Sequence, residues 1–324
     1  MKELKITLIV VLSLVVLGLC VLLGYSMNKR SSDRWEIIDS NAELVQEKEF
    51  PAADIDKLDI RYSESSNDVT IYESDGSTVI VREFANYAVK DSELAEIKLS
   101  GGTLSVGGPE RVNNMINFNR YMYTEIWLPA GYEGEISVAA VSGEIRVERE
   151  LALQQRLKLS STSGDIATRG ITASQVLIST TSGEVRLGEL AAKEIEISTT
   201  SGDVRVDKAD GRLSVASSSG EVTILDGSGE RKVSTTSGDI RISVAQLAGD
   251  LDVDTSSGEV ALGLSENESL QFKVTTVSGT ISTFFDDMLS FSKKGNRAEG
   301  SIGDDSKNKV TVTTTSGDIR VRKR

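Results

Sequence analysis

Eight carboxylates recur at one place in a repeated phrase. Glu144, Asp165, Glu184, Asp203, Glu221, Asp239, Glu259 and Asp318 each follow a Ser-Gly pair, and Arg146, Arg186, Arg205, Arg241 and Arg320 stand two residues further on. Carboxylates in a row can act as paired acid and base, as in glycoside hydrolysis, can hold a cation, or can pair with neighbouring bases. The chain has no histidine, which removes Ser-His and Cys-His catalysis, histidine-ligated zinc and histidine general bases. It also lacks a phosphate-binding glycine loop and a calcium loop of the Gly-Gly-x-Gly-x-Asp kind. One carboxylate per repeat is the pattern of a surface, not of a catalytic site. Like charges about 4.8 Å apart repel by roughly 0.9 kcal/mol even in bulk water. A calcium ion would relieve that repulsion, and so would the arginines. The arginine reading is adopted: acid and base columns side by side form a self-neutralising solvated face. No catalytic, cofactor-binding or metal-binding residue is assigned, no cofactor is expected, and the chain is read as not an enzyme.

The phrase Ser-Gly occurs in this setting nine times, at glycines 143, 164, 183, 202, 220, 238, 258, 279 and 317. The gaps are 21, 19, 19, 18, 18, 20, 21 and 38 residues, the last reading as two units of 19. A fixed period near 19 signals a stacked array. The fifth and seventh residues before the glycine are apolar in nearly every unit, as in Val176 and Ile178 or Val310 and Val312. So, in most units, are the second and fourth after it, as in Val185 and Leu187 or Ile319 and Val321. Both pairs have strand spacing and are rich in β-branched residues. Their parity about the glycine is opposite, so the chain must bend there, at a residue that tolerates conformations others resist. Each unit is strand, corner, strand and a looser arc. A unit this small buries its apolar edge only against its copies. The predicted fold is all-β: a β-solenoid of about 19-residue coils with parallel in-register strands, behind one N-terminal transmembrane helix. A β-sandwich of hairpins is the alternative, but hairpins need no constant period with a parity switch in every unit.

Residues 6–25 hold no charge. Twenty residues at about 1.5 Å each span the roughly 30 Å hydrocarbon core, so residues 1–28 are read as an uncleaved anchor placing residues 6–25 in the lipid bilayer. A signal peptide starting at Lys2 and Lys5 is the competitor, but the apolar run is longer than a usual signal core and no clear small-x-small site precedes Lys29. Lipidation at Cys20 would need a small residue in place of Leu19, so Cys20 is taken as a small apolar residue of the anchor. Lys29, Arg30 and Arg34 oppose Lys2 and Lys5, so the positive-inside count does not favour export of the repeats. Long domains translocate largely regardless of flanking charge, and an extracytoplasmic orientation is adopted.

Residues 29–54 read as a juxtamembrane stalk. Residues 55–141 read as degenerate N-terminal β coils or a cap, and 142–324 as the regular solenoid. In the degenerate part Ile60 and Tyr62, then Asn67, then Val69 and Ile71 fit the frame with asparagine for glycine, and Ile97, Gly102, Leu104 and Val106 fit it again. Asn67 to Gly143 is 76 residues, or four periods of 19. Two interruptions stand out in an aromatic-poor chain: 109–123, with Met115, Ile116, Phe118, Tyr121, Met122 and Tyr123, and 284–300, with Phe284, Phe285, Met288, Leu289 and Phe291. Each is either a binding loop or a cap burying its own aromatics, and the cap is preferred. Arg320-Val321-Arg322-Lys323-Arg324 reads as charge protecting an open strand edge. The hydroxyls before each glycine, as in Ser198-Thr199-Thr200-Ser201, form columns. Those pointing out offer a strip for glycan or a strand-like partner, and those pointing in bond along the stack.

A formal charge of −13 argues against nucleic acid, since phosphate binding needs basic surface. The single cysteine excludes an intrachain disulfide. With its repeated Thr-Ser-Gly-Asp-Ile-Arg-Val phrase behind one anchor, the chain resembles the bacterial putative-adhesin β-strand repeat family, which is largely of unknown function. That family includes LiaG-type membrane proteins linked to envelope-stress operons of Gram-positive bacteria. The resemblance implies an extracytoplasmic, membrane-tethered β-repeat domain and transfers no site residues. The expected function is a non-enzymatic scaffold on the cell membrane that contacts cell-wall glycopolymer or another envelope protein. A regulatory protein of an envelope-stress response and a cytoplasmic-facing polymer-forming scaffold are the alternatives.

Overall fold

A computed structural model describes residues 41–63, 67–108, 120–304 and 307–324. The anchor read at residues 6–25 lies outside them, as do Met115, Ile116 and Phe118. Among the described residues no helix is long and apolar enough to cross a membrane. Residues 43–324 form one compact unit, built almost wholly from strands.

The repeat produces the coil expected of it. Before the corner Val176 lies beside Ile195 and Ile178 beside Ile197; after it Val185 lies beside Val204 and Leu187 beside Val206. All of these neighbours run parallel and in register, and these side chains are buried. Each buried aliphatic contributes roughly 1.5–3 kcal/mol, and the in-register columns run on through the later coils. A third, shorter row closes the early coils, with Ile171, Leu190, Ala209 and Gly227 in register.

Ten coils stack among the described residues: 57–74, 135–152, 156–173, 175–192, 194–210, 212–228, 231–244, 251–264, 308–323 and 270–283. The last two are out of chain order. The 38-residue gap therefore does not hold two successive coils. Its middle folds as a cap, in which Arg297–Ile302 runs antiparallel to Leu270–Ser278 and Ser290–Phe291 pairs with Arg297–Ile302. The chain then returns to the other side of Leu270–Ser278.

That order corrects the reading of the basic tail. Ile319–Lys323 is no open edge, because it sits between Val260–Leu264 and Ile281–Thr283. Its charges meet partners: Arg320 pairs with Glu259 and Asp318, Lys323 with Glu266 and Arg324 with Asp226.

The N-terminal part differs in three ways. Residues 57–74 form one coil directly against 135–152, so the 76-residue spacing is one coil plus an excursion and not four coils. Ile60 and Tyr62 sit opposite Val138 and Ala140, two places nearer the corner than the frame assigns them, because the corner before Asn67 is two residues longer. Residues 97–106 form no corner. Glu96–Ser100 and Thr103–Gly107 are an antiparallel hairpin, turned by Gly101 and Gly102 at φ +55° and +74°, a region that glycine enters freely. Within the stretch read as stalk, Glu43–Pro51 is a strand paired antiparallel to Thr78–Ala85, which pairs antiparallel to Met122–Pro129. The alternation of Leu44, Val45 and Phe50 with polar residues is too weak to announce it in sequence. Antiparallel strands thus cover strand edges at both ends of the parallel stack, which hinders the addition of further coils there.

Candidate functional site

The corner glycines are required by space. A side chain on Gly183 would collide with the carbonyl oxygen of Gly164, one on Gly202 with that of Gly183, and the same contact repeats from Gly143 against Asn67 to Gly279 against Gly317. Only Gly220 of the nine has a positive φ, +134°, so conformational freedom is not the general reason. Each corner packs backbone on backbone, and this brings the flanking polar side chains into close columns.

The carboxylates do form one column. In stacked order it runs Asp68, Glu144, Asp165, Glu184, Asp203, Glu221, Asp239, Glu259, Asp318 and Thr280, so Asp318 joins it directly after Glu259. Aspartate and glutamate alternate, and they do different things. Each Asp accepts the backbone N–H of the next residue in the column: Asp68 from Glu144 at 2.8 Å, Asp165 from Glu184 at 2.8 Å, Asp203 from Glu221 at 2.8 Å, Asp239 from Glu259 at 2.9 Å and Asp318 from Thr280 at 2.9 Å. Glutamates hold arginines: Glu144 pairs with Arg146, Glu184 with Arg186, Glu221 with Arg241 and Glu259 with Arg320. Arg205 departs from the pattern and pairs with Asp207 at 3.1 Å. The arginine hydrogen bond holds Glu221 below the usual carboxylate range, while burial pushes Glu184 up. The carboxylates are therefore occupied by amides and guanidinium groups. No group of three or more Asp, Glu or Cys side chains among the described residues is arranged to hold a metal ion.

The hydroxyls divide by direction. Ser161, Thr180 and Thr199 point inward and accept the backbone N–H of Gly164, Gly183 and Gly202 at 2.8, 3.0 and 2.9 Å, so they brace their own corners. Thr276 instead donates along the stack to the carbonyl of Gly317 at 3.0 Å. Outward lie two parallel columns. Ser160, Ser179 and Ser198 are in register, followed by Ala216 and Ser234. Beside them Thr162, Thr181, Thr200, Ser218 and Thr236 are exposed, and backbone bonds from Ser182 to Thr162 and from Ser201 to Thr181 hold their spacing at 2.9 and 2.8 Å. This strip and the carboxylate-arginine column run along the same stack of coils.

Three features have no counterpart in the sequence reading. Arg231 stands in the buried apolar column between Leu213 and Leu251 and is 1% exposed. Its guanidinium reaches the carbonyls of Gly229 at 2.8 Å and Ala209 at 3.3 Å, where Ala209 and Gly227 leave the room that Ile171 and Leu190 fill in earlier coils. Burial lowers its pKa. The repeat frame contains that signal, because Arg231 is the one charged residue at its position. Glu83 is fully buried and accepts from Gln46 at 3.0 Å, the Ala95 amide at 2.8 Å and the Tyr62 hydroxyl at 3.3 Å; Tyr62 also bonds Thr124 at 2.5 Å. Burial pushes the Tyr62 hydroxyl well up. This network lies under the N-terminal cap and depends on strands far apart in sequence. Finally, a shallow groove of about 400 Å³ opens beside Arg149, whose guanidinium is engaged by the carbonyl of Leu128 at 2.8 Å and faces Glu73 at 3.8 Å. In the 284–300 interruption, Phe285 is buried against Phe284 and Phe272, as a cap requires, while Met288 and Phe291 are exposed.

No curated protein matches this sequence. Among solved structures, a putative lipid binding protein from Parabacteroides distasonis is 16% identical, with 88% of this chain and 98% of that one covered and a TM-score of 0.51. A putative cell adhesion protein from Clostridium sporogenes is 12% identical, with 87% and 100% covered and a TM-score of 0.29. A putative adhesin from Bacteroides fragilis is 11% identical, with 86% and 97% covered and a TM-score of 0.35. At such identities these likenesses concern the fold alone, and of the three only the first superposes well enough to support it. The sequence itself matches the Toastrack DUF4097 family over residues 55–322, and the chain belongs to that family.

Proposed function

We propose that the chain is a non-enzymatic, membrane-anchored, extracytoplasmic β-repeat protein of adhesin type, whose outward hydroxyl strip contacts cell-wall glycopolymer or a partner protein of the envelope. The observation that carries this reading is the in-register pair of hydroxyl columns, from Ser160 and Thr162 to Ser234 and Thr236, beside paired carboxylates and arginines. A repeating ligand meets a hydroxyl on each successive coil from Thr162 to Thr236 and an ion pair at each glutamate of the neighbouring column, and many weak contacts sum through multivalency. Single exposed ion pairs contribute little, so affinity rests on length and not on one residue.

The test is co-sedimentation of the detergent-solubilised chain with isolated wall polymer, against a Thr162→Val, Thr181→Val, Thr200→Val variant of nearly the same shape. Retention of the wild type and loss of the variant supports the strip. Equal retention of both, or of neither, removes it. Protease shaving of intact and lysed cells, read through a tag after residue 324, tests the orientation. Loss in intact cells supports export, and protection there with loss in lysate places the repeats inside.

A further inference from the structure

The coil 308–323 occupies a slot whose two walls precede it in sequence. Asn308–Ser316 lies between Leu251–Ser257 and Leu270–Ser278, and Ile319–Lys323 lies between Val260–Leu264 and Ile281–Thr283, parallel on both sides. The chain reaches it by a return. Arg297–Ile302 descends antiparallel along the far side of Leu270–Ser278, and the chain then rounds the start of that strand and enters on its near side.

The slot recognises its occupant in detail. Asp250 accepts the Lys309 amide at 2.8 Å, and the Leu247 carbonyl accepts the Asn308 side chain at 2.7 Å. Arg320 pairs with Glu259, and Asp318 receives the Thr280 amide at 2.9 Å. Only glycine fits at 317 against the Gly258 carbonyl. Both walls are made by residues outside 308–323, and a link of five residues, 303–307, joins that coil to Ile302. It can therefore leave as one unit while every other coil keeps its own chain connections.

We infer that this slot is a receptor for one strand-corner-strand segment of the form Val-x-Val-x-Thr-x-Ser-Gly-Asp-Ile-x-Val, and that residues 308–323 of a second copy fill it, so that two copies associate by exchanging this coil. Exchange costs little because the incoming segment restores each hydrogen bond and ion pair that the departing one breaks. It is strand addition in the middle of the stack of coils, at a place where both neighbouring walls are parallel strands made by earlier residues. Antiparallel strands cover strand edges at both ends, which favours exchange through the slot over end-to-end growth.

The experiment uses the full chain in detergent micelles with Cys20→Ser as background. Asp254 and Thr313 face each other across the slot and are exposed. One tagged copy carries Asp254→Cys and a second, differently tagged copy carries Thr313→Cys. The two are mixed, warmed briefly to the foot of the unfolding transition, cooled and oxidised. A control mixture replaces the second copy by Thr200→Cys, exposed but outside the slot. Because a disulfide forms only when the α-carbons come within about 7 Å, exchange predicts about tenfold more covalent dimer from the slot pair than from the control. Equal yields from the two mixtures overturn the inference. The double variant Asp254→Cys, Thr313→Cys must also close within one chain when diluted, and its failure to do so overturns the slot register on which the inference stands.

Discussion

The carbonyl oxygen of Gly258 fills the space that a side chain on Gly317 would need, although 59 positions separate the two residues. The same contact recurs at every corner of the stack, so a methyl group there must displace backbone that is held by a hydrogen-bonded ladder. Gly202→Ala is expected to cost about 3 kcal/mol, the upper part of the usual overpacking range. Gly131→Ala, with no atom within 4 Å of the new methyl and no positive φ, should stay within about 0.5 kcal/mol. Urea unfolding of the two variants checks the contrast, and similar midpoints would mean that the corners are looser than described.

Asp203 accepts the Glu221 amide at 2.8 Å. Asp203→Ala leaves that N–H without its partner and should cost about 1 kcal/mol. Asp203→Asn keeps a carbonyl acceptor in the same place and should lose clearly less. The order of the two midpoints in denaturant titration is the readout, and an equal loss would show that the charge and not the hydrogen bond matters.

Asp226 titrates at about 2, held down first by the hydrogen bond from Arg324 and further by the Gly227 and Ala245 amides. Its folded pKa lies below the unfolded value of 3.8. The stability it lends is therefore complete above about pH 4 and is lost as the pH falls towards 2. Wild type and Arg324→Gln should differ in melting temperature at pH 6, and the gap should narrow across that acid window. A gap that stays constant down to pH 2 would remove Asp226 as the cause.

Arg231 is buried in an apolar column with two carbonyl partners. Arg231→Ala removes those bonds and opens a cavity, so a loss of about 3 kcal/mol is expected. Arg231→Met fills most of the same volume without a buried charge and should retain more stability, because replacing a buried ion by a well-packed apolar group is often neutral. Thermal melts decide it, and a methionine variant as damaged as the alanine one would show that the cation itself is required.

The coil is legible in the sequence because its causes are local. Val185 and Leu187 after the corner, and Ile195 and Ile197 before the next, show strand spacing and opposite parity, and a buried in-register ladder follows from them. The pairing of Glu184 with Arg186 follows in the same way, since two residues along a strand share a face. The order of the coils is not local. Every coil carries the same pattern of edges, so a return through the cap can lay 308–323 between 251–264 and 270–283 without offending any local rule. One trace of that order is written in the chain: aspartate and glutamate alternate down the column only if Asp318 precedes Thr280. The close backbone contact that demands glycine, the buried Tyr62, Glu83 and Thr124 network, and the room that Ala209 and Gly227 leave for Arg231 were decided by the tertiary structure. Each depends on the distance between groups remote in sequence, and residue types and spacing alone do not encode that distance.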